Sequence, residues 1–67
     1  MDEPRVTRPL APAARARLLT MVQRGELAAL QRIGISRTAL MRALSGLPVY
    51  GGTRMAIEAA LADDESR

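Results

Sequence analysis

Residues 26–45 read ELAALQRIGISRTALMRALS. The apolar pattern of this segment decides the fold, and the residues on either side of it add the remaining helices. Apolar residues recur at helical spacing on both sides of an interruption, Ile33-Gly34-Ile35-Ser36. The spacing predicts a helix from Glu26 to about Arg32, with the carboxylate of Glu26 favourably placed near the helix N-terminus. The side chains expected on the buried side of this helix are those of Leu27, Leu30 and Ile33.

The residues after the interruption predict a helix from Arg37 to about Ser45. Gly34 permits the positive φ that a sharp bend needs, and Ser36 can cap the free amide groups at the start of this helix. Gly46 and Pro48 make a longer helix unfavourable. At about 100° per residue, one side of the helix carries Ala39, Leu40 and Ala43. The opposite side carries Arg37, Thr38, Met41, Arg42 and Ser45.

A further helix is predicted before this pair. Pro12 can occupy its first turn, where a missing N–H costs nothing, and the helix should end near Gln23. Gly25 can stop it in a left-handed conformation. The apolar stripe of this helix consists of Ala14, Leu18, Met21 and Val22.

A fourth helix is predicted after a loop over residues 46–52. It should run from Arg54 to about Ala62, with Gly52 or Thr53 as its cap. Its inward face is expected to carry Ile57, Ala60 and Leu61. The predicted fold class is therefore all-α, with four short helices and no strand.

A chain of 67 residues is long enough for one domain. We expect a flexible N-terminal arm over residues 1–10, a helical domain over residues 11–62, and an acidic tail over residues 63–67 that frays. The chain contains neither Cys nor His, so we expect no disulfide, no metal site and no cofactor. Because so small a core is only marginally stable, oligomerisation is the expected additional source of stability, and a homodimer the expected form.

The charge of the chain is unevenly distributed. All ten basic residues are Arg, and eight of them lie between Arg8 and Arg54, where Glu26 is the only acid. This central net charge of about +7 favours a polyanionic partner. The alternative is that a GC-rich genome accounts for the arginines and that they only confer solubility. No apolar run approaches the roughly 20 residues that span a bilayer, and the acidic start Met1-Asp2-Glu3-Pro4 does not resemble a secretory signal. We expect a cytoplasmic protein of a bacterium or phage, associated with the nucleoid and not with a membrane.

A helix, a glycine-containing turn and a second helix form the unit that places the second helix in the DNA major groove. An Arg side chain can bridge O6 and N7 of guanine, and a Thr side chain can meet a thymine methyl or a polar base edge. The outer side of the 37–45 helix therefore predicts Arg37, Thr38 and Arg42 as base-reading residues. Two alternatives stay open: the face is simply solvated, or the turn joins two helices of an ordinary bundle.

Residues 33–61, IGISRTALMRALSGLPVYGGTRMAIEAAL, resemble the DNA-binding headpiece of Lac-repressor-family regulators. The recurrent pattern of that family is carried here by Gly34, Ile35, Ser36, Leu40, Arg42, Leu44, Gly46, Pro48, Val49, Thr53 and Arg54. The resemblance implies base reading by the same three residues of the 37–45 helix and phosphate contacts by Ser36 and Thr53. Ser45 and Arg54 complete the set of expected contacts to the DNA backbone.

The chain also departs from that family. Leu30 stands where the family has a small residue, and Gly51-Gly52 replaces a polar pair. A whole helix precedes the motif, which is similar to the lambda-repressor and Cro class instead. These features place the chain in the broad lambda-repressor-like group, without implying control by a sugar.

The function expected from the sequence is specific binding of double-stranded DNA by a small transcriptional regulator, a repressor. The alternatives are an interaction module, such as an antitoxin, an adaptor or an antirepressor, and a sequence-independent nucleoid protein. Catalysis is the weakest expectation, because a general base would have to come from seven carboxylates, six of them near the termini. Exposed apolar residues that could form a dimer seam, or could instead pack locally over the loop, are Leu47, Val49, Tyr50 and Met55.

Overall fold

The computed structural model describes residues 7–66, and four helices contain most of them. The elements in chain order are β1 (Thr7–Arg8), α1 (Pro12–Arg24), α2 (Glu26–Ile33), α3 (Arg37–Leu44), β2 (Val49–Tyr50) and α4 (Gly51–Glu65). The predicted all-α class is confirmed in its main feature. The addition is a small antiparallel sheet, in which Thr7 lies opposite Tyr50 and Arg8 opposite Val49.

One apolar core lies between the helices and the small sheet. Its three fully buried large side chains come from three different helices, Leu18 of α1, Leu40 of α3 and Ile57 of α4. The remaining buried apolar residues are Leu10, Met21, Ala29, Ile33, Ala43, Val49, Ala60 and Leu61. No polar or charged residue between positions 7 and 66 is buried. Within the same span, no helix has the length and apolar character needed to cross a bilayer.

The buried face of α2 differs from the predicted one. Leu27 was expected inside, but its side chain is 70% exposed, whereas Ala29 and Ile33 are buried and Leu30 is half-buried. At 3.6 residues per turn, Ala29 lies only about 40° from Ile33 around the helix, and Leu27 lies about 120° away. The neighbouring α1 and α4 both pack on the side that Ala29 and Ile33 share. The small Ala29 side chain therefore takes the place in the core that the sequence pattern had assigned to Leu27.

Two glycines end helices in the left-handed conformation. Gly34, at φ 81°, follows α2 as predicted, and its N–H donates to the Leu30 carbonyl at 2.8 Å. Gly46, at φ 79°, follows α3, where the Leu47 N–H donates to the Arg42 carbonyl at 3.0 Å. Gly25 was also expected to be left-handed, but at φ 164° its backbone is extended. Gly25 is the single residue between α1 and α2, so the two helices follow each other without a longer loop.

We expect Gly34→Ala to destabilise the protein by about 1 kcal/mol, because a side chain at positive φ brings Cβ too close to the backbone. A Cβ at this position would meet no other atom within 4 Å, so conformational strain alone sets the loss. Gly25→Ala is the matched control, since its backbone is extended and its Cβ would meet only the Ala28 Cβ, at 3.8 Å. Urea unfolding followed by circular dichroism measures both variants. Equal losses would contradict the conformational explanation.

The segment before α1 is more ordered than predicted. Thr7 and Arg8 form β1, and Leu10 is 2% exposed in the core, although residues 1–10 were expected to form a flexible arm. The physical reason is that Leu10 anchors the segment in the core and β2 supplies backbone partners for β1. The folded domain therefore begins by residue 7 and not at residue 11, and residues 1–6 lie outside the described part of the chain.

Helix α4 is longer at both ends than predicted. It begins at Gly51 with Tyr50 as its N-cap residue, so neither Gly52 nor Thr53 caps it. It continues through the acidic residues to Glu65, where fraying was expected; residue 67 lies outside the described range. Carboxylates are unfavourable at a helix C-terminus, but arginines of α1 and α2 offset this cost. The pairs are Arg24–Asp64 at 3.1 Å, Arg32–Asp64 at 3.0 Å, Arg32–Asp63 at 3.2 Å and Arg17–Glu65 at 3.3 Å.

These ion pairs make the stability of the protein depend on pH. The hydrogen bond from Arg32, assisted by that from Arg24, lowers the pKa of Asp64 below its ordinary value. Because the folded pKa lies below the unfolded pKa, the stabilisation is complete above the unfolded value. This stabilisation is lost as the pH falls from about 4, the usual pKa of a carboxyl group, down through the pKa of Asp64 in the folded protein.

We therefore expect Asp64→Asn to lower the melting temperature at pH 7, with the difference from wild type shrinking as the pH falls towards 2. Glu58→Gln is the control, because Glu58 has no ion-pair partner within the described residues. Thermal unfolding followed by circular dichroism across this pH range checks the expectation. A difference between Asp64→Asn and wild type that did not change with pH would refute it.

Candidate nucleic-acid interface

Helix α3 has one buried and one exposed side, as predicted, except that Ala39, which was expected on the inner side, is only half-buried. The Ser36 hydroxyl accepts a hydrogen bond from the Ala39 N–H at 3.1 Å and so caps the first turn. On the inner side, Leu40 and Ala43 are both 0% exposed, which fixes the rotation of the helix about its axis. The exposed residues of the outer side are Arg37, Thr38, Met41, Arg42 and Ser45.

The outer side of α3 lines two open depressions that share Thr38 and Arg42. The first depression is lined by Arg37, Thr38, Met41, Arg42, Ser45 and Leu47. The second is lined by Ser36, Thr38, Ala39, Arg42, Val49, Tyr50 and Thr53. Because two residues line both, we treat them as one concave surface, called the α3 groove below. Among residues 7–66, no acidic residue lines it.

The α3 groove brings together six of the seven residues predicted to contact DNA. These are the predicted base-reading residues Arg37, Thr38 and Arg42, together with the predicted backbone contacts Ser36, Ser45 and Thr53. The hydroxyl of Thr53 comes from the first turn of α4, so two different helix starts meet at the groove. The seventh residue, Arg54, does not line it.

Arg54 lies in the first turn of α4 with its guanidinium turned towards the start of that helix. A Cβ added to Gly51 would lie 4.0 Å from the Nη2 atom of Arg54. The Nη1 atom is buried and has no hydrogen-bond partner among the described residues. The Nη1 group of Arg54 therefore becomes available to a ligand only if the side chain moves.

Each of the two guanidiniums in the groove is held by one protein contact. Arg37 Nε forms an ion pair with Glu26 Oε2 at 2.8 Å, and Arg42 Nη2 donates to the Pro48 carbonyl at 3.0 Å. The Arg37 side chain is nevertheless 72% exposed. Sequence reasoning missed both contacts, since it treated Glu26 only as a helix start and Pro48 only as a helix terminator. The position of Glu26 as the single acid between Arg8 and Arg54 was the available signal.

The helix starts at the groove are free of acidic residues. Neither α3 nor α4 has an acid in its first turn, and α3 begins with Arg37. A cation there opposes the helix dipole, so both helices forgo a stabilisation that an Asp or Glu would give. Local conflicts of this kind concentrate at functional sites. The free amide groups and the arginines together favour an anion at this end of the molecule.

Three of the four acids of α4 are held by ion pairs at the end of the helix that lies away from the groove. Asp63, Asp64 and Glu65 pair with arginines of α1 and α2 at the far end of α4. At 1.5 Å per residue, Asp64 lies about 16 Å along the helix from Thr53, which lines the groove. Within residues 7–66, no carboxylate lies within 4 Å of the guanidiniums of Arg8, Arg15, Arg42 and Arg54. These four arginines are therefore the ones in the central segment whose charge no carboxylate of residues 7–66 balances at close range.

Arg15 of α1 was not among the predicted site residues. Its guanidinium lies against Gly46, so closely that a Cβ at that glycine would collide with Nη1 of Arg15. Gly46 stands between Ser45 and Leu47, both of which line the groove. No local pattern predicts this approach, because Arg15 and Gly46 are 31 positions apart in the chain.

One of the four predicted seam residues is not available at the surface. Val49 is 3% exposed and belongs to the core, because it lies on β2, which packs against α3 and α4. Leu47, Tyr50 and Met55 are 44%, 62% and 68% exposed. The candidate seam is thereby reduced to these three residues, of which Leu47 and Tyr50 also line the α3 groove.

Comparison of the chain with protein-family models, with curated proteins and with solved structures finds no match. The interpretation of the α3 groove therefore depends on its own geometry, on its charge and on the sequence pattern of residues 33–61.

Proposed function

We propose that this protein is a small transcriptional regulator of the lambda-repressor-like group, a repressor, that binds double-stranded DNA sequence-specifically with α3 in the major groove. The observation that carries the proposal is the outer side of α3. It exposes two guanidiniums and a hydroxyl on a helix that buries Leu40 and Ala43 completely on its inner side. Rigid support of this kind is what discriminating contacts to base edges require.

The proposed roles follow from the chemistry of each side chain. Arg37 and Arg42 each retain guanidinium N–H groups that can donate to O6 and N7 of guanine. Thr38, between them in the groove, offers a methyl and a hydroxyl to the neighbouring base pair. The Met41 side chain is 37% exposed and adds an apolar surface for a thymine methyl.

The backbone contacts are proposed for the edges of the groove. The hydroxyls of Ser36, Ser45 and Thr53 can donate to phosphate oxygens, and the helix starts add backbone N–H groups. The guanidiniums of Arg8 and Arg15, which pair with no carboxylate of residues 7–66, supply sequence-independent attraction, as does Arg54 after movement of its side chain. These contacts position α3 without carrying sequence information.

We propose that the protein acts as a homodimer on a two-fold symmetric site. A single short helix reads only a few base pairs, and a dimer doubles this by contacting two half-sites about 34 Å apart. The exposed apolar side chains of Leu47, Tyr50 and Met55 are the candidates for the contact between copies. Light scattering of the free protein and of its DNA complex measures the molar mass.

The experiment that tests the proposed function compares two duplexes, one selected from a random DNA pool and one of scrambled sequence. We expect a preference of at least about 10³ for the selected duplex, and weaker binding of both as salt is raised. Salt-dependent binding of both duplexes without a preference would indicate a sequence-independent nucleoid protein instead. Binding of neither duplex would indicate an interaction module such as an antitoxin, an adaptor or an antirepressor.

A further inference from the structure

The contact between Glu26 and Arg37 joins the first turn of α2 to the first residue of α3. We propose that Glu26 is a positioning residue: it holds the Arg37 guanidinium so that the terminal amino groups face the bases, and it thereby sets sequence preference. The inference rests on the proposed function and assigns to α2 a part in base recognition.

The geometry of the contact leaves the recognition edge of Arg37 open. Glu26 Oε2 lies 2.8 Å from Nε, so the carboxylate binds the side of the guanidinium nearest the chain. No hydrogen bond joins the Nη1 or Nη2 group to another described residue. Because the guanidinium is planar, fixing Nε limits the directions in which the other donors can point. A side chain that is 72% exposed would otherwise sample many rotamers.

The anchor of this contact is itself well supported. Glu26 is the first residue of α2, where its carboxylate interacts favourably with the helix dipole. Its side chain is 37% exposed, about half as much as that of Arg37. Glu26 is therefore the less exposed partner, and Arg37, the proposed base reader, is the more exposed one.

The charge of Glu26 carries a cost for DNA binding that its positioning role offsets. It is the only acid between Arg8 and Arg54, and its carboxylate lies beside a residue of the α3 groove. A negative charge there repels phosphates and weakens binding to every duplex alike. The charge of Glu26 increases the preference for the selected duplex if it weakens binding to random DNA and also orients Arg37 towards the preferred base.

The experiment measures the affinities of Glu26→Ala, Glu26→Gln and Glu58→Ala for the selected and scrambled duplexes. Glu58→Ala is the matched control, because it removes the same charge from an exposed residue of α4 that has no described ion pair. We expect Glu26→Ala to reduce the preference about tenfold, since the ion pair and the preorganisation it gives are lost. Glu58→Ala should leave the preference unchanged, and Glu26→Gln, which keeps the side-chain length but removes the charge of the ion pair, should reduce the preference as Glu26→Ala does.

A second readout does not depend on DNA. In the NMR spectrum of the free protein, the Nε–H signal of Arg37 should shift in Glu26→Ala and stay near its wild-type position in Glu58→Ala. If wild type is selective and Glu26→Ala is equally selective, the positioning role is overturned while the proposed function stands. If wild type binds both duplexes alike, the proposed function fails, and the inference fails with it. A melting temperature for each variant shows that the affinities refer to folded protein.

Discussion

Leu40→Ala is expected to cost about 2–5 kcal/mol, which leaves little folded protein at 37 °C, because a domain this small is stable by only about 3–5 kcal/mol. Leu40 is 0% exposed and lies in one core with Leu18 and Ile57. The substitution removes three carbon atoms, so the favourable free energy of transferring them from water into the core is lost. It also leaves a cavity that the surrounding helices cannot close completely. The same residue fixes the rotation of α3, so the variant also loses the surface proposed to read DNA.

Leu27→Ala is the matched control for this prediction. It removes the same atoms from a side chain that is 70% exposed, so the change in unfolding free energy should stay within about 0.5 kcal/mol. Urea unfolding of both variants, followed by circular dichroism at 222 nm, measures the difference. Equal destabilisation by the two substitutions would mean that the described burial of α2 and α3 is wrong.

Arg42→Ala is expected to lower the affinity for the selected duplex by about 1–3 kcal/mol, roughly 5- to 150-fold, with a smaller loss on scrambled DNA. Arg42 lines both depressions of the α3 groove and is held in place by the Pro48 carbonyl at 3.0 Å. The held guanidinium presents its remaining donors with little further loss of rotamer freedom. A contact to one particular base contributes to affinity only on a duplex that contains this base. Its removal therefore weakens binding of the selected duplex more than binding of the scrambled one.

Arg24→Ala is the matched control for the second prediction. It removes the same charge from a residue that pairs with Asp64, at the end of the molecule away from the groove. Fluorescence anisotropy at two salt concentrations should show that Arg24→Ala leaves the preference for the selected duplex intact. If the two substitutions weaken both duplexes to the same extent, Arg42 contacts phosphate and does not read a base.

The features that the sequence predicted correctly all depend on short-range signals. Helix α3 was predicted from Ser36 as its cap, from Gly34 at the bend before it, and from the helical spacing of its apolar residues. In the structure Ser36 caps the helix and Gly34 has φ 81°. Its two faces follow from the helical period alone. The candidate base readers could therefore be chosen from residues 33–45 without knowledge of the rest of the fold.

The features that the sequence did not predict depend on contacts between distant positions. The pairing of Thr7 with Tyr50 spans more than 40 residues, and neither strand is long enough to show an alternating pattern. The order of the acidic tail depends on arginines of α1 and α2. In α2, eight residues were too few for periodicity to choose between the face with Leu27 and the face with Ala29.

The same limit applies to the charges around the candidate site. Composition shows eight arginines and one acid in the central segment, but not which arginines are free. The fold pairs Arg17, Arg24 and Arg32 with the tail and places Glu26 against Arg37. Only the three-dimensional arrangement distinguishes arginines that stabilise the protein from those available to a ligand.

The most direct test of a major-groove contact by α3 uses a selected duplex in which single guanines are replaced by 7-deazaguanine. This base keeps Watson–Crick pairing but lacks N7, the acceptor to which Arg37 or Arg42 is proposed to donate. We expect one replacement to weaken wild type about tenfold or more, and the same replacement to have no further effect on the matching Arg→Ala variant. Full wild-type affinity for every substituted duplex would contradict the account.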